Sequence, residues 1–297
     1  MSEFVYNSSK FQIERSLLQK AVRRGDLVVT ELTVQYLLDQ GDKTWLRDRL
    51  FVIAYEECWP IANQIQIKDL LFEYTRLAST VKNKNAWGLA KLASMHKDRN
   101  YFLDSTQTDD VNAGIIFISN ALKDPDNYWV ELGGFVGYDE QKYRVDAAKS
   151  ALPRAKFPDD KAMMYAAGYL SVNEIIPEVK LVQPISNQNF PYWVAFDKHT
   201  EYGKWILQLV AEKLRLDPYD VRRMTFYQAG VICYQINHSP YYDMLVESKL
   251  RKLKDVLPRW PEVEAMIIEM TKEDAEKLEK RIKTQPAKPD NGQLSLF

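Results

Sequence analysis

The segment from Ser16 to Glu57, SLLQKAVRRGDLVVTELTVQYLLDQGDKTWLRDRLFVIAYEE, decides the fold of this chain. Its apolar residues recur at spacings of three and four, which is the period of an amphipathic helix. Gly25 and Gly41 divide the segment, because glycine readily adopts the left-handed conformation that ends many helices. We therefore predict three successive helices, of which the first two form a hairpin and the third ends before Pro60.

Helical patterns continue along the rest of the chain. They occupy about 67–81, 86–95, 112–122, 159–170, 200–214 and 218–234, and a partly exposed final helix covers 264–282. Two stretches differ: DPDNYWVELGGFVGYDEQKY (124–143) predicts a long ordered loop or a short hairpin, and PYWVAF (191–196) has the composition of a strand. The predicted fold class is mainly α, a helical array with a less regular middle segment and a disordered C-terminal tail.

Composition divides the chain into three predicted parts. Residues 1–100 form a helical domain, residues 101–282 form a mixed, mostly helical second region, and residues 283–297 form a flexible tail. Within the tail, KTQPAKPDNG (283–292) contains two prolines, a glycine and almost no apolar side chain, so it cannot bury enough surface to order itself. We interpret it as a tether for the residues that follow.

The overall charge argues against long-range electrostatic attraction to polyanions. Forty basic and forty-one acidic residues leave a formal net charge of -1, so no whole-molecule positive field attracts nucleic acid or an anionic membrane. Two distant cysteines without CxxC spacing argue against a disulfide framework and a structural zinc site. Without a signal-peptide pattern or a long apolar run, we expect a cytoplasmic protein that does not enter a membrane.

The printed sequence ends in QLSLF, which is Gln293, Leu294, Ser295, Leu296 and Phe297. These residues resemble the short peptide by which bacterial replication and repair proteins dock on the DNA polymerase sliding clamp. The resemblance implies that the glutamine makes polar contacts while the leucine and phenylalanine side chains fill an apolar pocket on the clamp. Burying each apolar side chain contributes about 1.5–3 kcal/mol of favourable free energy, part of which is lost in ordering the tail. We therefore predict an affinity on the order of micromolar. The alternative is an apolar ending that arises by chance or folds back onto the body.

The segment quoted first also resembles a known family. It is similar to the helical region behind the ATPase core in the replication-associated recombination ATPases (RarA or MgsA), which are related to clamp loaders. The residues that carry this similarity are Leu18, Gln19, Lys20, Arg23, Arg24, Gly25, Asp26, Tyr36, Leu37, Arg47, Arg49, Ile53, Ala54, Glu56 and Glu57. The resemblance implies a region that supports oligomerisation and packs beneath an ATPase core.

The ATPase core itself has no counterpart in this sequence. A phosphate-binding loop needs GxxxxGK[ST], and the nearest strings, GDKT at Gly41 and YGKW at Tyr202, lack the leading glycine and the preceding strand. We therefore predict no nucleotide hydrolysis. A chain with the helical part and its own clamp peptide is expected to be an accessory or adaptor protein.

Three basic clusters are candidates for contact with DNA. The candidate residues are Arg23, Arg24, Arg47, Arg49, Lys249, Arg251, Lys252 and Lys254. Lysine and arginine neutralise phosphates, and neighbouring aromatic rings can stack on unpaired bases. Charge runs are also typical of solvated helix faces, and acidic residues follow each cluster, so DNA binding and a solvated face remain open alternatives.

The remaining polar clusters do not predict a catalytic site, a metal site or a cofactor. Asp197 and His199 could support acid–base chemistry or bind a divalent metal, but a helix cap at Thr200 beside a surface histidine is the preferred interpretation. Asp109 and Asp110 are interpreted as a helix-start pair rather than a nuclease centre.

Three hypotheses for function follow. The first is a non-enzymatic accessory protein of bacterial or phage DNA replication, recombination or repair that docks on the sliding clamp through residues 293–297. The second is a clamp-recruited, metal-dependent nuclease. The third is a helical oligomer, either one that regulates or blocks clamp access or one whose apolar ending is fortuitous.

Overall fold

The computed structural model describes residues 11–64, 74, 76–78, 82–96, 108–176, 189–232, 236–237 and 239–284. The α-helices in these ranges are α1 (Gln12–Arg24), α2 (Leu27–Asp39), α3 (Lys43–Glu57), α4 (Asn85–Met95), α5 (Asp109–Ala121), α6 (Pro125–Leu132), α7 (Tyr138–Ala151), α8 (Pro158–Asn173), α9 (Glu201–Leu214), α10 (Pro218–Thr225), α11 (Pro240–Leu250) and α12 (Trp260–Lys283). The only strands within this part of the chain are β1 (Lys82–Asn83) and β2 (Ile236–Asn237), which pair in parallel. The mainly α prediction is confirmed.

The predicted hairpin at the start of the fold is present. Gly25 adopts a left-handed φ of 68° at the end of α1. The Asp26 carboxylate then accepts the backbone N–H of Val29 at 2.8 Å, which caps the first turn of α2. Gly41, with a φ of 84°, makes the corresponding turn before α3. Turn and cap chemistry encoded locally in the sequence therefore sets the boundaries between the first three helices.

The main hydrophobic core lies among α3, α4, α8 and α11. Leu50, Leu89, Leu170 and Tyr242 are among its fully buried side chains. Helices α4 and α11 approach so closely that a Cβ atom on Gly88 would lie 2.5 Å from the backbone nitrogen of Tyr242. The core draws side chains from both sides of the expected domain boundary at residue 100, and the division into domains remains a prediction.

Two smaller apolar clusters complete the fold. One joins α9, α10 and α12 through side chains that include Val210, Val221 and Ile267. The other packs a short 3-10 turn, Tyr192–Ala195, against α1 and α12. This second cluster brings the residues that follow the turn, 197–200, against the polar face of α1.

The expected loop or hairpin at residues 124–143 is wrong, because most of these residues belong to α6 and α7, with only a turn at 133–137 between the two helices. The Asp124 carboxylate accepts the backbone N–H of Asn127 at 3.2 Å, and Pro125 occupies the first turn, where proline is tolerated. The aromatic residues that suggested a strand instead pack on neighbouring rings, as Tyr128 does against Tyr165 at a centroid distance of 4.9 Å. Tertiary packing overrode the local composition.

Two other expectations also need correction. Residues 191–196 contain the 3-10 turn and no strand. The helix expected at 218–234 consists of α10 followed by a π-helix, Phe226–Val231. The helix expected at 67–81 lies largely outside the described residues, although positions 74 and 76–78 are helical.

Within the described ranges, no helix is both long enough and apolar enough to cross a bilayer. Residues 285–297, which include the expected tether and the QLSLF motif, lie outside the described residues.

Candidate functional site

A cavity of about 550 Å³ lies where α1, α3, α4 and α8 meet the 197–200 segment and the π-helix. One face of α1 supplies much of its wall through Gln12, Ser16, Gln19, Lys20 and Arg23. Gln12, Ser16, Gln19 and Arg23 follow one another at spacings of three and four residues, and Lys20 is four residues from Ser16, so all five form one stripe along the helix. The opposite side of α1 carries Leu17 and Leu18, which are buried in the apolar clusters. The helix thus separates the core from a charged cavity.

Lys20 and Asp197 form an ion pair at the floor of the cavity. The Lys20 ammonium donates to the Asp197 carboxylate at 2.6 Å, and both residues are 4% exposed. Burial alone would raise the pKa of the Asp197 carboxyl, but Lys20 and His199 hold that pKa below its ordinary value. Gly203 permits this placement, because a Cβ atom there would lie 2.0 Å from the Asp197 carbonyl oxygen.

A second buried network surrounds Arg23. Its guanidinium donates to Glu57 at 2.7 Å, with Glu56 at 3.6 Å, and Lys84 approaches Glu57 at 3.4 Å. Burial opposes the charge on Arg23, yet these carboxylates more than offset that effect and raise the pKa of the guanidinium. The network ties α1 to α3 and to the lysine that precedes α4.

The π-helix provides the acceptors that complete this network. Arg23 donates to the carbonyl oxygen of Gly230, and Arg24 donates to that of Ala229 at 2.5 Å. Single-turn π-helices are rare and frequently mark functional sites. Here the first two π-helix residues, Phe226 and Tyr227, line the cavity.

Arg49 projects from α3 toward the cavity, and carboxylates lie farther from its guanidinium than Glu57 lies from that of Arg23. Its guanidinium lies 3.8 Å from both Glu56 and Asp160 and donates to the Gln19 side chain at 3.2 Å. Its buried Nε has no hydrogen-bond partner among the described residues. The pKa of the Asp160 carboxyl is raised because burial outweighs the attraction of Arg49.

Lys198 is a partly buried cation without a carboxylate contact in the described part of the chain. Its ammonium lies 3.7 Å from the centroid of the Phe226 ring, which is close enough for a cation–π interaction. Burial, opposed by Asp197 and reinforced by neighbouring cations, lowers the pKa of Lys198 to about 8. The lowered pKa shows that this position is costly for a positive charge.

His199 and Asp159 are two lining residues with substantially exposed side chains. The side chain of His199 is 58% exposed, and its ring nitrogen Nδ1 lies 3.1 Å from Asp197. Asp159 forms an ion pair with Lys91 at 2.5 Å.

Basic side chains outnumber acidic ones in the lining. The seven basic residues are Arg15, Lys20, Arg23, Arg49, Lys91, Lys198 and Lys249. The four acidic residues are Glu56, Asp159, Asp160 and Asp197. Arg15 and Arg23 are paired with Asp42 and Glu57, which lie outside the lining, so most of this difference in charge is offset. Cations also lie over three of the aromatic rings in the lining: Arg15 over Trp45, Lys84 over Trp87 and Lys198 over Phe226.

The structure separates the candidate DNA-binding residues into two groups. Arg23, Arg49 and Lys249 line the cavity, and Arg24, at the end of α1, instead donates to the π-helix carbonyl oxygen of Ala229. Arg47 is exposed and pairs with Asp48 at 2.9 Å, while Arg251, Lys252 and Lys254 are exposed at the end of α11 and just beyond it. The expected basic clusters therefore do not form one continuous surface.

The sequence-based interpretations of the other polar clusters agree with the structure in part. The Thr200 hydroxyl accepts the backbone N–H of Gly203 at 2.9 Å, which confirms the helix cap. His199 lies at the surface as expected, but Asp197 is buried and ion-paired. Asp109 and Asp110 begin α5, which confirms the helix-start interpretation.

Among the residues the structure describes, no three His, Cys, Asp or Glu side chains are grouped to hold a metal ion. His96 lies 3.5 Å from the Ser119 hydroxyl, and His238 is outside the described residues. The clamp-peptide residues 293–297 are also outside them.

Several cavity residues were missed by the sequence patterns. Ser16, Asp160 and Lys198 belong to no motif, and each is recognisable only from its place in the fold. The Lys20–Asp197 contact joins residues 177 positions apart, so no local spacing could reveal it. The contributions of α1 and α3 are more accessible, since five residues that carry the family resemblance line the cavity: Gln19, Lys20 and Arg23 on α1, and Arg49 and Glu56 on α3.

No family model, curated protein or solved structure matches this chain.

Proposed function

We propose that this protein is a non-enzymatic accessory factor of bacterial or phage DNA replication, recombination or repair that docks on the DNA polymerase sliding clamp. The observation that carries the proposal is the QLSLF sequence of residues 293–297. Its glutamine, leucine and phenylalanine are the residue types that short clamp-docking peptides use. In this proposal Leu296 and Phe297 fill an apolar pocket, Leu294 supports them, and Gln293 makes polar contacts at its edge.

The position of the motif supports docking at a distance from the body. The last described residue is Thr284, so residues 285–292 separate it from Gln293. An extended segment of this length spans no more than about 30 Å. The prolines and polar residues of the segment favour an accessible linker over a further packed element.

The body of the protein supports a role in DNA metabolism less directly. The residues that resemble the RarA helical region form α1, α2 and α3, and several of them line the cavity. The exposed residues Arg251, Lys252 and Lys254 are the part of the candidate DNA-binding set that lies at the surface near α11. We propose that the body interacts with DNA or with another protein while the motif holds the clamp, and that it acts in the cytoplasm.

Point variants of the motif test the proposal by calorimetric titration against a purified bacterial sliding clamp. The full chain is expected to bind with a dissociation constant on the order of micromolar. Leu296→Ala is expected to weaken binding by about 10- to 100-fold, because a buried leucine contributes about 1.5–3 kcal/mol.

Ser295→Ala is the matched control, since it changes a neighbouring position without removing an apolar anchor. It is expected to bind within about threefold of the unchanged protein. Equal binding by Leu296→Ala and Ser295→Ala would count against the proposed anchor, and no binding by the unchanged chain would reject clamp docking.

A further inference from the structure

A separate pocket of about 300 Å³ lies between α1, α9 and α12, and we call it the α9–α12 pocket. Among the described residues, none lines both this pocket and the cavity. Three of its apolar lining side chains remain partly exposed, whereas the fourth, Phe196, is buried. The lining consists of Ile13, Phe196, Tyr202, Trp205, Asp274, Lys277 and Arg281.

The charged residues of the α9–α12 pocket already have partners. The Tyr202 hydroxyl donates to the Asp274 carboxylate, which also lies 3.6 Å from the Lys277 ammonium. Arg281 pairs with Glu14 at 2.7 Å. What remains for a ligand is the apolar part of the lining. An apolar side chain suits this surface, because it buries hydrocarbon without separating the ion pairs.

The QLSLF motif lies within reach of this pocket. Helix α12 supplies the lining residues at positions 274–281 and leads directly into Thr284, the last described residue. At a rise of about 1.5 Å per residue, these lining residues lie about 5–15 Å along the helix from Thr284. Residues 285–292 span up to about 30 Å when extended, so they are long enough to return the motif to the pocket.

The pocket is expected to bind this motif only weakly. The large apolar side chains of residues 285–297 are Leu294, Leu296 and Phe297. A volume of about 300 Å³ is at the lower limit of small-ligand sites and suits one or two side chains, which should bind from free solution at about millimolar concentration. A short flexible linker also holds its ligand at an effective concentration of about millimolar. Bound and unbound forms of the tethered motif should therefore be similarly populated.

We propose that the α9–α12 pocket is an intramolecular docking site for Leu296 and Phe297, which alternate between this pocket and the sliding clamp. The competition rests on the proposed clamp docking, but the intramolecular contact does not. Since the clamp is expected to bind with micromolar affinity, it displaces the weaker internal contact. The pocket then lowers the apparent affinity for the clamp by about twofold, because about half of the molecules hold the motif internally.

The test is the indole N–H signal of Trp205 in two-dimensional NMR spectra of the isotope-labelled full chain and of a version that ends at Gly292. Trp205→Phe assigns the signal. We expect the signal to differ between the two proteins, and a QLSLF peptide at millimolar concentration should move it in the shortened version toward its position in the full chain. An identical signal in the two proteins, or no response to the peptide, would overturn the proposal.

The occupant is identified with one further shortened protein. If removal of residues 1–10 moves the Trp205 signal while the ending at Gly292 leaves it unchanged, the pocket belongs to the segment before α1. That result would also overturn the proposal.

Matched variants assign the contact to the motif and to the pocket. In the full chain, Leu296→Ala is expected to move the Trp205 signal toward its position in the shortened version, whereas Ser295→Ala should leave it in place. Ile13→Ser is expected to abolish the response of the shortened version to the peptide. Ile268→Ser, at a 41% exposed position on α12 outside the lining, should preserve it. A peptide response that survives Ile13→Ser would overturn the assignment.

Clamp titrations separate this proposal from that of clamp docking. Ile13→Ser in the full chain is expected to bind the clamp about twofold more tightly than Ile268→Ser, because the motif is released from the pocket. Equal affinities would overturn the competition. The NMR experiments contain no clamp, so a failure of clamp docking would leave their outcome unchanged.

Discussion

Charged residues are used in two different ways in the cavity and in the last helix. Around the cavity, ion pairs such as Lys20–Asp197 and Arg23–Glu57 are buried and join distant segments. Along α12, Lys277 and Glu273 are one helical turn apart, and their side chains are 67% and 87% exposed. The residue types are the same, but only the first group is held in place by the tertiary fold.

The energetic consequences of the two arrangements differ as well. Loss of one partner in a buried pair leaves a charge in a poorly solvated site, whereas water solvates the remaining partner of an exposed pair. Charge in the cavity is therefore expected to be tightly coupled to stability. Charge on the surface of α12 is expected to affect solubility more than folding.

The largest predicted effect is at Glu57, which is 2% exposed and faces both Arg23 and Lys84. Glu57→Ala would leave two buried cations without this carboxylate. We expect it to lower the free energy of unfolding by about 3–5 kcal/mol, measured by urea denaturation. A loss below about 1 kcal/mol would show that this network contributes no more than a surface pair does.

Lys198 is the site of an intermediate effect of opposite sign, because its replacement is predicted to stabilise the protein. Its pKa is lowered to about 8 from an ordinary value of 10.5, by burial and by the nearby cations Arg223, Lys20 and Lys91, against the attraction of Asp197. The unfolded chain therefore binds the proton more tightly, and stability should rise with pH between about 8 and 10.5. Below that window the folded protein bears the full cost of the charge.

Lys198→Met removes this cost, so it should stabilise the protein at pH 7. After allowance for solvent screening, we expect an increase of about 1 kcal/mol in the free energy of unfolding. The difference should disappear above about pH 10.5, where the lysine is neutral in both states. Thermal unfolding across this pH range measures the effect. Lys213→Met, which removes the same charge from an exposed position on α9, is the control. Destabilisation at pH 7 would contradict the placement of Lys198.

The smallest effect is predicted at Glu273, in the exposed pair with Lys277. Glu273→Ala makes the same chemical change as Glu57→Ala, and it is expected to alter stability by less than about 0.5 kcal/mol. Urea denaturation of the two variants side by side therefore isolates the contribution of burial. Similar losses in both would remove the distinction between the two regions.

The part of this architecture that sequence can predict is the part encoded locally. Gly25, Gly41 and Thr200 mark helix boundaries through turn and cap chemistry, and the structure confirms each of them. The exposed pairs of α12 also follow from spacing along a single helix. In contrast, the aromatic and glycine content of residues 124–143 suggested a loop, because burial of Tyr128 depends on partners elsewhere in the chain.

The candidate site was less predictable for the same physical reason. The α1 stripe was recognisable because helical spacing places Lys20 and Arg23 on one face. Lys198 and Asp160 enter the site from segments far from α1 in sequence, and no repeated pattern connects them. Local patterns in a single sequence show which residues share one face of a helix. They do not show which helices pack together to enclose a cavity.

The central claim of docking is tested most directly by calorimetric titration of a bacterial sliding clamp with the full chain and with a version that ends at Gly292. Our account predicts a dissociation constant on the order of micromolar for the full chain and no measurable binding for the shortened one. The cavity lies entirely within the shortened version, so both proteins should retain the same thermal unfolding transition. Equal binding by the two, or binding by neither, would contradict recruitment through residues 293–297.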